Sequence, residues 1–175
     1  MKITGIDLAY RNIGICRVNF DYAVKPTSFD SWQTIKNPKP TSLQMYIDTF
    51  DNVIRTLDPI IVRSSLVIIE VPYGSQNAVS AKMIGFCIAL VSHISLKHRG
   101  KIIPIRPQQT KAWAGGQTKH DVKKKVLQIK REIGDKSNII TEGNDHIWDA
   151  AGAVFSSMDL IKKCWDNKLQ VFQYG

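Results

Sequence analysis

Hydrophobic and polar residues follow two periods along this chain, and the switches between them mark out its elements. Lys2 to Asp7 is a short apolar strand, and Ile13 to Phe20 alternates as its antiparallel partner across the turn Ala9 to Asn12. Ser31 to Ile35 reads as a third strand after a proline-containing loop. Asn37 to Pro40 breaks the pattern, and Thr41 is the expected cap of a helix. In that helix Leu43, Tyr46, Ile47, Phe50, Val53, Ile54 and Leu57 recur at helical spacing, and Asp58-Pro59 ends it. Ser65 to Val71 is a continuous apolar run carrying Glu70, the pattern of a central strand buried on both faces. A long helix over Asn77 to His98 is apolar around much of its circumference. Lys101 to Ile105 predicts a strand, Pro107 to Trp113 a small helix, and Gly115-Gly116 a break. Thr118 then caps a basic helix, Lys119 to Ile133, and Asn144 caps a last helix reaching about Trp165. The order βββαβαβ followed by helices predicts an α/β fold. Its mixed central sheet has antiparallel first strands, then parallel strands, and is flanked by helices.

A length of 175 residues suits one domain, so 1–175 is read as a single unit with one core. The fractions of 43% hydrophobic and 22% charged residues are those of a soluble globular protein. Met1 runs straight into a strand pattern, which is unlike a signal peptide. The longest apolar stretch, Met83 to Leu96, falls short of the roughly 20 residues of a membrane span, so no membrane partner is expected. Cys16, Cys87 and Cys164 are odd in number and widely separated, with neither disulfide nor zinc spacing. They read as reduced thiols, which points to the cytoplasm.

The net charge of +9 is unevenly placed. Lys97 to Lys136 holds twelve Lys or Arg against three acids, so the rest of the chain is balanced. A positive segment in a neutral body is the footprint of a polyanion-binding face. Within the basic helix Val122, Val126 and Ile129 form an anchoring seam. Lys119, Lys123 and Lys130 fall on another stripe, where they can meet phosphate; Lys124 belongs to the same charge run.

Three acids stand where an acid is least expected. Asp7 ends the first strand, Glu70 ends the buried strand, and Asp149 sits in the apolar helix face Ile147-Trp148-Asp149-Ala150-Ala151. Such carboxylates are costly unless paired, hydrogen-bonded or bound to a cation. If the first and central strands are neighbours, Asp7 and Glu70 share a pocket and the last helix brings Asp149 to them. Carboxylates gathered around one point are oxygen ligands for a hard divalent ion. Two such ions, about 3.5 to 4 Å apart, serve phosphodiester hydrolysis.

These residues resemble a family. Gly5-Ile6-Asp7 followed by Arg11-Asn12-Ile13-Gly14 looks like the first motif of RuvC-type Holliday junction resolvases, with an Asn-containing turn closer to the poxviral and fungal mitochondrial branches. Val67-Ile68-Ile69-Glu70 resembles the second motif, with Tyr73 and Asn77 at the family's spacing after it. Lys111 and Gly115-Gly116-Gln117-Thr118-Lys119 resemble the basic segment, and His146-Ile147-Trp148-Asp149-Ala150-Ala151-Gly152-Ala153 the closing motif. Ala9 stands where the family usually has Gly.

The resemblance covers residues 5 to 153 and implies a ribonuclease-H-like fold. It also implies a homodimer that makes paired nicks in a four-way junction with magnesium, or manganese in its place. Asp7, Glu70 and Asp149 would be catalytic and metal-binding. The fourth ligand is His146, three residues before Asp149, with Asp145, four before it, as the alternative. Lys119 would assist at the scissile phosphate, Lys111 would lie close to it, and Arg11, Tyr73 and Asn77 would contact DNA. Tyr73 would stack on an unpaired base. The wide apolar surface of the helix Asn77 to His98 suits dimerisation. The competing expectations are a nuclease of this fold acting on RNA–DNA hybrids or single strands, and a non-catalytic nucleic-acid-binding protein.

Overall fold

The computed structural model describes residues 1–72, 74, 78–98, 101–116, 118–136 and 144–173, with side chains through 166. Among these, the strands are β1 (Lys2–Leu8), β2 (Asn12–Phe20), β3 (Pro26–Lys36), β4 (Leu66–Glu70) and β5 (Ile102–Ile105). The helices are α1 (Leu43–Val62), α2 (Ala78–Lys97), α3 (Pro107–Trp113), α4 (Lys119–Glu132), α5 (Asp145–Ser156) and α6 (Met158–Gln173). The sheet order is β3-β2-β1-β4-β5. β1, β2 and β3 pair antiparallel, while β4 is parallel to β1 and β5 to β4. This is the mixed sheet the strand pattern predicts.

Period-two alternation assigns each strand residue to a face. Ile6, Leu8, Ile13, Ile15, Val67 and Ile69 meet Val53, Leu57 and Ile61 of α1 and Cys87, Leu90 and Ile94 of α2. On the opposite face Ile3, Cys16, Val18 and Ile68 meet Val122 and Val126 of α4 and Ala150, Ala153 and Val154 of α5. Each fully buried Ile or Leu contributes about 1.5 to 3 kcal/mol, which holds the helices to the sheet.

α5 comes closest. A Cβ added at Gly5 would lie 1.9 Å from the carbonyl oxygen of Ala150, and one at Gly14 would lie 2.0 Å from that of His146. The backbone of α5 therefore rests on the backbones of β1 and β2, an approach only glycine permits.

Several boundaries differ from the sequence reading. The cap of α1 is Ser42, whose hydroxyl accepts from the amide of Met45 at 3.2 Å, while the Thr41 hydroxyl turns to the Met45 sulfur. Asp58-Pro59 does not end α1. Pro59 lies inside it, because burying Leu57 and Ile61 outweighs the one lost backbone bond. β3 begins at Pro26, tolerated as the first residue of an edge strand. The last helix is two, broken at Ser157, the C-cap of α5.

α2 also corrects the estimate of Met83 to Leu96 as too short. It runs 20 residues and includes an 18-residue stretch with a mean hydropathy of 1.7, long and apolar enough to cross a membrane by length and composition. Its Cys87, Leu90, Val91 and Ile94 are buried, whereas Val79 and Ile88 are exposed.

Candidate active site

Strand register brings the first two acids together. Asp7 stands opposite Glu70 across the parallel β1–β4 pair and opposite Gly14 across the β1–β2 pair. Both carboxylates sit at carboxyl ends of parallel strands, where α/β sheets collect ligands. By alternation both also lie on the face that α5 covers. Because Gly14 admits the helix backbone at His146, that residue's Nδ1 comes within 2.7 Å of Asp7 Oδ2. One helical turn later Asp149 enters the same space.

The flanking helices are pinned locally. Asn144 caps α5 by accepting from the Ile147 amide at 3.3 Å, and its side-chain amide donates to Thr34 of β3 at 3.1 Å. A reciprocal box between Thr118 and Asp121 starts α4 at Lys119. Lys119 Nζ then lies 2.7 Å from Asp149 Oδ2. The backbone amide of Arg106 donates to the Gln109 side chain at 2.8 Å and starts α3, whose Thr110 hydroxyl donates to Glu70 Oε2 at 2.5 Å.

The result is a cavity of about 200 Å³ lined by Asp7, Ala9, Glu70, Pro107, Thr110, Lys111, Lys119, Val122, His146 and Asp149. Asp7, Glu70 and Asp149 are 8%, 6% and 6% exposed, so three largely buried carboxylates line one cavity. Burial first, then the charges of Asp7 and Asp149, push Glu70 up to about 7, against the lowering pull of Thr110 and Lys119. Burial raises Asp149 as well, only partly offset by Lys119. For Lys119 burial alone would lower the pKa, but the hydrogen bond and charge of Asp149, with Asp7 and Asp145 behind it, raise it. The ammonium therefore stays charged.

No protein-family model matches the chain, and no curated protein does. Solved structures do. RuvC from T. thermophilus in complex with a Holliday junction substrate superposes with a TM-score of 0.65 at 18% identity, over 89% of this chain and 92% of that one. The fowlpox virus resolvase with its substrate Holliday junction DNA gives 0.59 at 16% identity, over 92% and 99%. The same viral resolvase without DNA gives 0.55 at 14% identity. The chain has a RuvC-like fold.

Within that ribonuclease-H-like architecture, the structure brings together Asp7, Glu70, Lys111, Lys119, His146 and Asp149. Asp145 is exposed and lies outside the cavity lining, in the first turn of α5. Arg11 is exposed in the turn after β1, and Lys124 is exposed on α4. Lys123 is partly buried, with its Nζ 5.2 Å from the centre of the Trp148 ring. Tyr73 and Asn77 lie outside the described residues.

Lys130 is a correction. It is 8% exposed, and its Nζ donates to the Asp135 carbonyl at 2.7 Å. It follows Val122 and Val126 at steps of four and so shares their buried stripe, leaving its ammonium to reach the loop after α4 rather than phosphate. Sequence reasoning missed Thr110, whose partner Glu70 is 40 positions upstream, and the sheet glycines Gly5 and Gly14 as seats for α5.

Hard carboxylate oxygens, one imidazole and crowded buried negative charge suit a divalent cation in kind. Among the described residues, however, no three His, Cys, Asp or Glu side chains close on one point. The carboxylates repel one another, and Asp7 and Asp149 turn instead to His146 and Lys119.

Proposed function

We propose that this protein is a divalent-metal-dependent endonuclease that hydrolyses phosphodiesters of branched DNA, four-way junctions foremost. One observation supports the reading most: three buried carboxylates meet Lys119 and His146 in one cavity at the strand ends. The fold around that cavity is shared with resolvases solved on Holliday junction DNA.

Asp7, Glu70, Asp149 and His146 are the residues that would hold Mg2+, with Mn2+ as a substitute. When bound, such ions polarise the phosphoryl group and lower the pKa of water. Lys119 keeps a positive charge inside the cavity, where it stabilises charge developing on a phosphodiester. Lys111 lines both this cavity and a neighbouring groove of about 540 Å³ formed with Gln108, Ala112, Gly115 and Gly116. That groove is the path we assign to the DNA backbone beside the cut. Arg11, Lys123 and Lys124 are assigned further phosphate contacts, and Tyr73 and Asn77 the exchanging strands.

Paired nicks on a two-fold substrate need two active sites, hence a homodimer. The exposed stripe of α2, Ala78, Ala81, Gly85 and Ile88, suits close approach of a second copy. Sedimentation of the purified protein checks this independently of cleavage.

The deciding experiment is Mg2+-dependent cleavage of a synthetic four-way junction beside matched duplex and RNA–DNA hybrid. Asp7→Asn, Glu70→Gln and Asp149→Asn should each slow single-turnover cutting by about 10²-fold or more while junction binding stays measurable. Preferred cutting of the hybrid would reassign the substrate, and binding without cutting of any substrate would leave a binding protein.

A further inference from the structure

Thr110 is a buried polar residue that the reading so far does not use. It is 2% exposed, in the middle of α3. A helical threonine commonly turns its hydroxyl back to the carbonyl four residues earlier. Here the hydroxyl points away from its own helix and donates to Glu70 Oε2. The other half of the side chain is seated just as firmly. A Cβ added at Gly152 of α5 would lie 2.7 Å from Thr110 Cγ2 and 2.6 Å from Val122 Cγ1, so the two methyls together fill the space that glycine leaves open. Thr110 therefore lies between α5 and the end of β4, with its methyl against Gly152 and its hydroxyl on Glu70.

The three acids differ in what faces them. Asp149 takes the Lys119 ammonium, and Asp7 takes the His146 ring. Among the described residues Glu70 forms no ion pair, and its hydrogen bond comes from a neutral hydroxyl. A hydroxyl donor fixes one carboxylate oxygen without bringing a positive charge to it, which leaves the other oxygen open to a cation. Ligating carboxylates are themselves oriented by such hydrogen bonds, and loss of the outer partner typically weakens metal binding by about 10- to 100-fold.

We propose that Thr110 is a positioning residue that aims Glu70 at a divalent cation, its methyl anchored on Gly152 and its hydroxyl holding one carboxylate oxygen. This rests on the metal-dependent reading above. It assigns α3 two adjacent roles, with Thr110 holding the carboxylate and Lys111 facing the DNA side.

The test is Mn2+ binding to the whole protein without DNA, read by electron paramagnetic resonance of the free ion, for wild type, Thr110→Val and Thr110→Ser. Valine keeps the shape and removes the donor; serine keeps the donor and removes the methyl. Thr110→Val should weaken Mn2+ binding by about 10-fold or more, and Thr110→Ser, which keeps the donor but loses the packed methyl, should weaken it clearly less. The Mg2+ concentration for half-maximal junction cleavage should shift in the same order, with junction affinity in EDTA unchanged. Wild-type Mn2+ affinity in Thr110→Val, or equal weakening in both variants, overturns the positioning role and leaves the metal-dependent reading standing. Absence of Mn2+ binding by the wild type overturns both. If Thr110→Val does not fold, Thr110→Ala, which fits any space that holds threonine, is measured in its place and judged by the same two outcomes.

Discussion

Glu70 should make the free protein less stable as pH rises, and the size of the effect follows from its surroundings. The carboxyl is 6% exposed, beside two other acids, and titrates at about 7 instead of the ordinary 4.5. Below 4.5 it is protonated in both folded and unfolded chains and contributes no pH dependence. Between 4.5 and about 7 the unfolded chain has released the proton while the folded one retains it, so each step up in pH favours unfolding. Above about 7 both forms are ionised and the penalty is constant.

At about 1.36 kcal/mol per pH unit, the rise from 4.5 to about 7 amounts to about 3 kcal/mol at most. Glu70→Gln is nearly isosteric and does not titrate. Urea unfolding from pH 4 to 9 in EDTA should therefore show the variant gaining on wild type by up to about 3 kcal/mol across that window, then running parallel. Saturating Mg2+ at pH 8 should close part of the gap by stabilising wild type, since an ion that binds only the folded state raises stability. A stability difference independent of pH would refute the crowded-carboxylate account of Glu70. A variant losing stability toward alkaline pH would reverse its sign.

Other predictions separate the residues around it. His146→Ala should cost more cleavage than Asp145→Ala, and His146→Asp should retain Mg2+-dependent activity; the reverse order would move the proposed ligand to Asp145. Lys119→Ala should lower the single-turnover rate at saturating enzyme by about 10²-fold, whereas Lys124→Ala should make the salt slope of junction affinity shallower by roughly one. A Lys119 variant with wild-type chemistry and a raised Kd would place it among the general contacts. Lys130→Met should destabilise by about 1.5 to 3 kcal/mol through loss of its bond to the Asp135 carbonyl, with the salt slope unchanged; a shallower slope would restore it to the DNA face. Gly14→Ala should cost about 3 kcal/mol or more, because the obstacle 2.0 Å away is the backbone of α5 and not a flexible side chain. A mild change in its urea midpoint would show that α5 can lift at no great cost.

The order of strands and helices was legible because period-two and helical repeats seldom overlap in this chain. The misplacements share a cause: long-range packing overrode a local signal. Pro59 is a stop signal, yet the core holds Ile61 on the far side of it. Ser157 breaks the last helix with neither glycine nor proline to announce it. Pro26, Thr27 and Ser28 read as a loop because an edge strand answers to one partner, and β2 accepts them despite irregular register near Val18 and Phe20. Lys130 was misassigned because a lysine invites a solvent reading, although its spacing from Val126 places it on the buried side.

The gathering of the three acids was more legible than these boundaries, and the reason lies in desolvation. A carboxylate at the end of an apolar run is hard to explain without a partner, so Asp7, Glu70 and Asp149 stand out in a chain with only fifteen acids. Nothing comparable marks Thr110, since a helical threonine is ordinary and its partner is distant in sequence. The glycines were visible, but their meaning depended on register. Gly5 and Asp7 share one face of β1, and Gly14 stands across from Asp7 on β2. The helix carbonyls that fill those two spaces belong to His146 and Ala150, four residues apart and hence on one helix stripe. That contact fixes both the height and the rotation of α5, and so decides where His146 and Asp149 arrive. Replacing an acid changes the charge in a cavity that the backbone contact still holds. Replacing Gly5 or Gly14 displaces the helix that carries half the site, so the glycines specify the geometry that the acids occupy.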